Sequence, residues 1–347
     1  MKRIIWLLTA VTLFLLPACT ANEAQPTLTP TAVASRTASL PTANPTLMVT
    51  PTPRPTQTAA PPTSAPTWPA ITRPATATPT ATAVPSITPF PTATPLNVNG
   101  IPVNKIVIMP PDVQENVRRI YALGQELGRN PQAFSKLGDS AVLTSHYLTR
   151  FDDPTRYNLG EYAFLQPVIE YYAGSFRRYG AAVRVGLSSW GVLDPMWSNK
   201  EWCTVEEHML ACEFRLHNPG ILLIRIGTND ASEAEYFANN LQEIVQFALD
   251  NGVIPVLTTK ADRFEGDNTN NEVMRQVAAE MQIPLWDFDA AAAALPNRGL
   301  GEDGVHLSIS FRNDYTDPFT LTAGYPVSDL TALFVLDAIR QTVEEGE

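Results

Sequence analysis

Ile221-Leu222-Leu223-Ile224-Arg225-Ile226-Gly227-Thr228-Asn229-Asp230 is an apolar run that stops abruptly in a glycine and three polar side chains. A short apolar stretch without strict alternation, bounded by a turn signal, reads as a strand buried on both faces. Such strands belong to parallel sheets covered by helices, and ligands bind beyond their carboxyl ends. The rest of the chain sorts itself around this run. Residues 133–137 form a weaker extended stretch that ends in Gly138-Asp139-Ser140, and residues 181–185 form another that leads into Gly186-Leu187-Ser188-Ser189-Trp190-Gly191. Residues 253–258 and 285–288 complete a set of five expected strands.

Helical periodicity fills the gaps. Val113, Val117, Ile120, Gly124 and Leu127 fall on one face; Pro111-Asp112 with Glu115 reads as a helix start with a capping box, and Gly128 as its stop. A helix is expected over 165–176, with Pro167 tolerable only in the first turn. Phe237, Leu241, Ile244, Val245 and Ala248 mark another that ends at Gly252, and 272–281 and 330–342 complete the set. The expectation is a three-layer α/β sandwich with a five-stranded parallel sheet, occupying residues 97–347 as one domain.

The first third of the chain is different. Lys2-Arg3 followed by an apolar run over 4–16 reads as an export signal over 1–18, and the run is too short for a comfortable membrane span. Leu16-Pro17-Ala18-Cys19 resembles the lipobox of bacterial lipoproteins, which implies cleavage before Cys19 and lipidation of its thiol; ordinary secretion is the alternative, because Pro17 is unusual in that motif. Residues 19–96 are dominated by Thr, Pro, Ala and Ser and cannot build a core, so a disordered, semi-rigid spacer is expected there. Of 3 cysteines, Cys203 and Cys212 remain after Cys19, which suits one disulfide in an oxidising compartment or else a free buried pair. A net charge of -11 argues against a nucleic-acid or anionic-membrane partner. The anchor at Cys19 is thus the expected membrane contact, on a monomer.

The polar stretches after the strands carry the chemistry. A serine hydroxyl attacks a carbonyl only when a base takes its proton, and the base needs a third group to fix its tautomer. Ser140, His306 and Asp303 supply those types. Of 4 histidines, only His306 sits in a glycine-containing loop, Asp303-Gly304-Val305-His306, with a carboxylate three residues before it. His146 follows the serine closely, His208 lies in a polar loop between the cysteines, and His217 precedes a strand. No Gly-x-Ser-x-Gly elbow surrounds Ser140, and no His-Glu-x-x-His occurs. The acidic, amide-rich loop over 262–271 lacks EF-hand spacing and reads as solvated, or as a lid.

In order, spacing and strand context, Gly138-Asp139-Ser140, Gly227-Thr228-Asn229-Asp230 and Asp303-Gly304-Val305-His306 resemble the SGNH or GDSL hydrolases across the whole folded domain. The resemblance implies a flavodoxin-like α/β fold and esterase activity through an acyl-enzyme, with no metal or organic cofactor. It implies Ser140 as nucleophile, His306 as general base and Asp303 as its orienting carboxylate. The oxyanion hole would take the Ser140 backbone N–H and the Asn229 side-chain amide. Family members carry a glycine in a second block as third donor; here an ungapped reading puts Ser189 there, and a two-residue shift puts Gly191 there. Trp190, Trp197 and Trp202 line a carbohydrate or acyl pocket, or else pack the core. The expected activity is extracytoplasmic hydrolysis of O-acyl groups on glycans or of small acyl esters, and the alternative is a nearly inactive module of the same fold that binds glycan or peptide.

Overall fold

The computed structural model describes residues 96–230 and 234–346. The export signal, Cys19 and the Thr/Pro-rich stretch up to residue 95 lie outside them.

A hairpin of β1 (Asn97–Val98) and β2 (Ile101–Pro102) opens the domain. The chain then lays down β3 (Val107–Ile108), α1 (Pro111–Glu126) and β4 (Asn130–Gly138). A long irregular segment follows, which holds β5 (Tyr157–Asn158), α2 (Gln166–Tyr171) and α3 (Met209–His217). Regular alternation resumes with β6 (Pro219–Arg225), α4 (Ala234–Asp250), β7 (Ile254–Thr258), α5 (Thr269–Glu280), β8 (Leu285–Trp286) and α6 (Phe288–Ala292). The last elements are β9 (Asn313–Asp314), paired with β5, and α7 (Gly324–Glu344).

The central sheet has the order β3-β8-β7-β6-β4. Its period-2 geometry sends successive side chains to opposite faces. Ile221 and Leu223 of β6 therefore pack with Val113, Val117 and Ile120 of α1 and with Leu333 and Leu336 of α7. Leu222 and Ile224 pack with Leu210 of α3, Leu241 and Val245 of α4 and Val277 of α5. The two clusters are the two interfaces of a three-layer α/β/α sandwich.

The sheet departs from the expected five parallel strands. It is mixed: β4, β6, β7 and β8 run parallel, but β3 pairs antiparallel with β8. The expected strand over 181–185 is reduced to a single bridge, Gly138 with Val183. It cannot continue along β4 because the Ala181 N–H is drawn to the buried Glu213 carboxylate at 2.5 Å and Val185 is exposed. The fifth strand is instead Val107–Ile108, a two-residue pairing stopped by Pro110-Pro111, too short to carry a periodic signal.

Smaller corrections concern helix starts. No capping box forms at α1, because the helix begins at Pro111 with Pro110 as its cap and Asp112 already inside. Before α2, residues 160–165 are a 3-10 segment. The 203–212 loop contains the start of α3, which His208 caps through Nδ1, accepting from the Ala211 N–H. Cys203 and Cys212 form a disulfide. Asp262, Asn270 and Asn271 are buried, so much of the 262–271 loop is tied down rather than solvated: Lys260 Nζ donates to Asp262 and Glu265, and the Thr228 hydroxyl donates to Asp262.

Candidate active site

Strands β4 and β6 end side by side, so Gly138-Asp139-Ser140 and Gly227-Thr228-Asn229-Asp230 emerge at one edge of the sheet. Glycine is required at 138 by close approach, since a Cβ there would collide with Val142 and with the Arg225 carbonyl. It is required at 227 by conformation: φ is +119°, and a Cβ would press on Phe237 and Met274. Asp139 is buried and holds the turn. Its backbone carbonyl accepts from the Val142 and Leu143 N–H groups, and its Oδ1 accepts from the Ala141 N–H at 2.9 Å. Burial pushes its carboxyl up, opposed by the Ala141 N–H and the Arg225 guanidinium.

This turn presents the Ser140 hydroxyl to the last loop of the domain. His306 Nε2 lies 2.9 Å from Ser140 Oγ, and His306 Nδ1 lies 2.6 Å from Asp303 Oδ2. Asp303 also accepts from the Val305 and His306 backbone N–H groups, so one tight turn fixes carboxylate and imidazole together. The His306 bond, followed by these N–H groups, holds the Asp303 carboxyl down at about 2. The array is open to solvent, with the His306 and Asp303 side chains 43% and 54% exposed. The other histidines are engaged elsewhere: His146 Nδ1 with Arg150, His208 as the cap of α3, and His217 beside Glu213.

The expected oxyanion donors are arranged differently from expectation. Ser189 and Gly191 both have their N–H groups occupied. Ser189 donates its N–H and its hydroxyl to the Asp230 carboxylate, the latter at 2.7 Å, and the Gly191 N–H closes a turn onto the Ser188 carbonyl. Neither is free in this arrangement to meet an oxyanion. The physical reason is Asp230, whose desolvated carboxylate lies directly against the turn and is raised by that burial despite the Ser189 bonds. The Asn229 amide donates to Asp139 Oδ2 at 3.1 Å and to the Leu187 carbonyl at 3.2 Å. Among the described residues, the Ser140 backbone N–H has no acceptor. Sequence reasoning missed Asp230 as the clamp of this turn; its only signal was adjacency to Asn229.

Trp190 and Trp197 meet edge to face at 4.9 Å, Arg184 stacks on Trp197, and Trp190 and Trp202 remain about half exposed. Cys203, Glu207 and Cys212 approach one another closely, but the sulfurs are bonded together and Arg215 engages Glu207, which leaves no free thiolate for a metal.

The chain is therefore an α/β protein with a serine–histidine–aspartate hydrogen-bonded array at its sheet edge. No family model and no curated protein matches it. Among solved structures it is similar to a two-domain esterase active on acetylated mannans, at 16% identity over 65% of this chain, with TM-score 0.39. It spans 56% of that esterase. It is also similar to an acetylxylan esterase from Geobacillus stearothermophilus, at 16% identity over 59% of this chain and 93% of the other, with TM-score 0.38. A third is an α/β hydrolase from the metagenome of Lake Arreo, Spain, at 16% identity over 60% and 95%, with TM-score 0.37. At these identities and scores the likeness carries no inference about activity.

Proposed function

We propose that this chain is a serine hydrolase of ester bonds of the SGNH type, acting on O-acyl groups of glycans or on small acyl esters. The observation that carries the reading is the continuous hydrogen-bonded path from Ser140 Oγ through His306 to Asp303. Ser140 Oγ adds to the ester carbonyl as its proton passes to His306 Nε2. The tetrahedral intermediate then expels the alcohol, which takes that proton and leaves an acyl-serine. Water attacks the acyl-serine, His306 takes the water's proton and returns it to Ser140, and the carboxylic acid departs. The Ser140 N–H stabilises the oxyanion. Asn229 joins it by exchanging the long bond to the Leu187 carbonyl for the developing charge. The open site suits an acyl group on a bulky carrier.

Replacing Asp303 by Asn is expected to lower kcat for p-nitrophenyl acetate by about 10²–10⁴-fold, because the imidazole loses its preferred tautomer. Asp303, held down at about 2 by the His306 bond and the backbone N–H groups, stays ionised above about pH 4, so its own protonation does not limit activity there. Wild-type and variant enzymes with equal rates would exclude this path.

A second reading is favoured by one observation: the Ser189 and Gly191 N–H groups are already spent. It is a module of the same fold that binds glycan or peptide with little catalysis. We place the domain outside the cytoplasm, on a lipid attached to Cys19 after removal of residues 1–18 and spaced by the Thr/Pro-rich stretch, on the motif and composition alone. Cys19→Ser is expected to move the protein from the membrane fraction to the soluble fraction; unchanged membrane association argues against the anchor.

A further inference from the structure

Two cavities flank the loop that begins at Ser140. One, of about 470 Å³, is walled by Leu143, Tyr179, Trp197 and Trp202. The other, of about 500 Å³, is walled by Ser145, Arg150, Arg156, Arg177 and the same Tyr179. Tyr179 walls both, so the two cavities are neighbours on either side of one side chain. Leu143 is three residues beyond Ser140, which limits their Cα separation to about 11 Å.

The two differ in chemistry. The first presents exposed aromatic surface, Trp202 being 54% accessible, of the kind that stacks on the apolar face of a ring. The second holds three arginines against one carboxylate, Asp153, in a chain whose net charge is -11, so the local excess of positive charge runs against the background. Asp152, next to it, is already occupied by the Gly174 and Arg177 backbone N–H groups. Arg150 is 2% exposed, its Nη atoms held by Asn313, Ser310 and His146 and its Nε without a partner, so it lends the cavity charge while Arg156 and Arg177 supply the donors. Arg156 makes no side-chain ion pair among the described residues, and Arg177 reaches Asp153 only at 3.8 Å. Guanidinium groups that converge on a cavity recognise carboxylates.

We infer that this pair of cavities binds an acidic saccharide, with a sugar ring on the tryptophan side of Tyr179 and a carboxylate on the arginine side, beside Ser140. The inference rests on the esterase reading only for what is hydrolysed; the binding itself is separate. Uronate-bearing, O-acylated glycans are then the substrate class.

The test uses Ser140→Ala protein, which binds without turnover, and isothermal calorimetry. Trigalacturonate is expected to bind about 10-fold or more tightly than mannotriose, with affinity that falls between 0.1 and 1 M salt as charge interactions are screened. Adding Arg156→Ala and Arg177→Ala, both at exposed positions, is expected to remove that preference. Equal affinities for the two sugars, or a preference that survives loss of both arginines, overturns the inference. Tricarballylate, which has three carboxylates and no ring, binding as tightly as trigalacturonate overturns the saccharide half. Acidic-sugar preference in a wild-type protein inert toward p-nitrophenyl acetate upholds the binding inference and overturns the esterase reading alone.

Discussion

Ser140→Ala is expected to lower kcat for p-nitrophenyl acetate by about 10⁴–10⁶-fold, the scale seen when the nucleophile of such an array is removed. The loss falls on kcat rather than KM, because Oγ bonds to the substrate only from the transition state onward. The fold should be untouched. Ser140 is half-buried, its hydroxyl meets only His306, and the turn beneath it is held by Asp139. Steady-state kinetics with a thermal melt as control checks this; equal rates at equal stability would leave the second, binding-module reading standing.

The largest effect on stability is expected at Glu213, which is fully buried in α3 and belongs to none of the motifs. Its carboxylate accepts from the Ser135 hydroxyl on β4 and from the Ala181 N–H, each at 2.5 Å, and thereby ties the helix, the edge strand and the single bridge at Val183 together. Glu213→Ala leaves two buried donors unpaired and a cavity between them. The cost is about 3–5 kcal/mol, which corresponds to a fall in Tm of about 6–20 °C for a domain this size. Glu213→Gln keeps the volume and one strong acceptor, so it should lose less. Differential scanning calorimetry checks both; an alanine variant that melts within 2 °C of wild type contradicts this role. Because residues 181–185 line the tryptophan-walled cavity and lead into Ser189, the alanine variant should also lose activity at temperatures where it remains folded.

What was readable from the chain follows from what the physics makes periodic. β6 and β7 were legible because both their faces are buried and every residue from Ile221 to Ile224 must be apolar. α4 and α7 were legible because their apolar stripes recur through several turns. β3 was not, since Val107–Ile108 pairs over two residues against β8 and a pairing of that length has no period. The 181–185 segment has the composition of a strand, but a tertiary bond from Glu213, thirty-odd positions away, decides its path. α3 was hidden by the polar spacing between the two cysteines. In the site, Ser140, Asp303 and His306 carry local signatures, a turn after a strand and a carboxylate three residues before a histidine, and the structure brings all three within hydrogen-bond reach. The second block depends on which acceptor reaches Ser189 first. That acceptor is Asp230, 41 positions away, and only the folded chain reveals the competition.

Intact-protein and peptide mass spectrometry after exposure to a fluorophosphonate probe decides whether Ser140 is a nucleophile, because the probe bonds only to a serine whose proton a neighbouring base removes. A single adduct is expected on the peptide containing Ser140 in the wild-type protein and none in His306→Ala. No adduct at Ser140, or equal labelling with and without His306, would contradict that role.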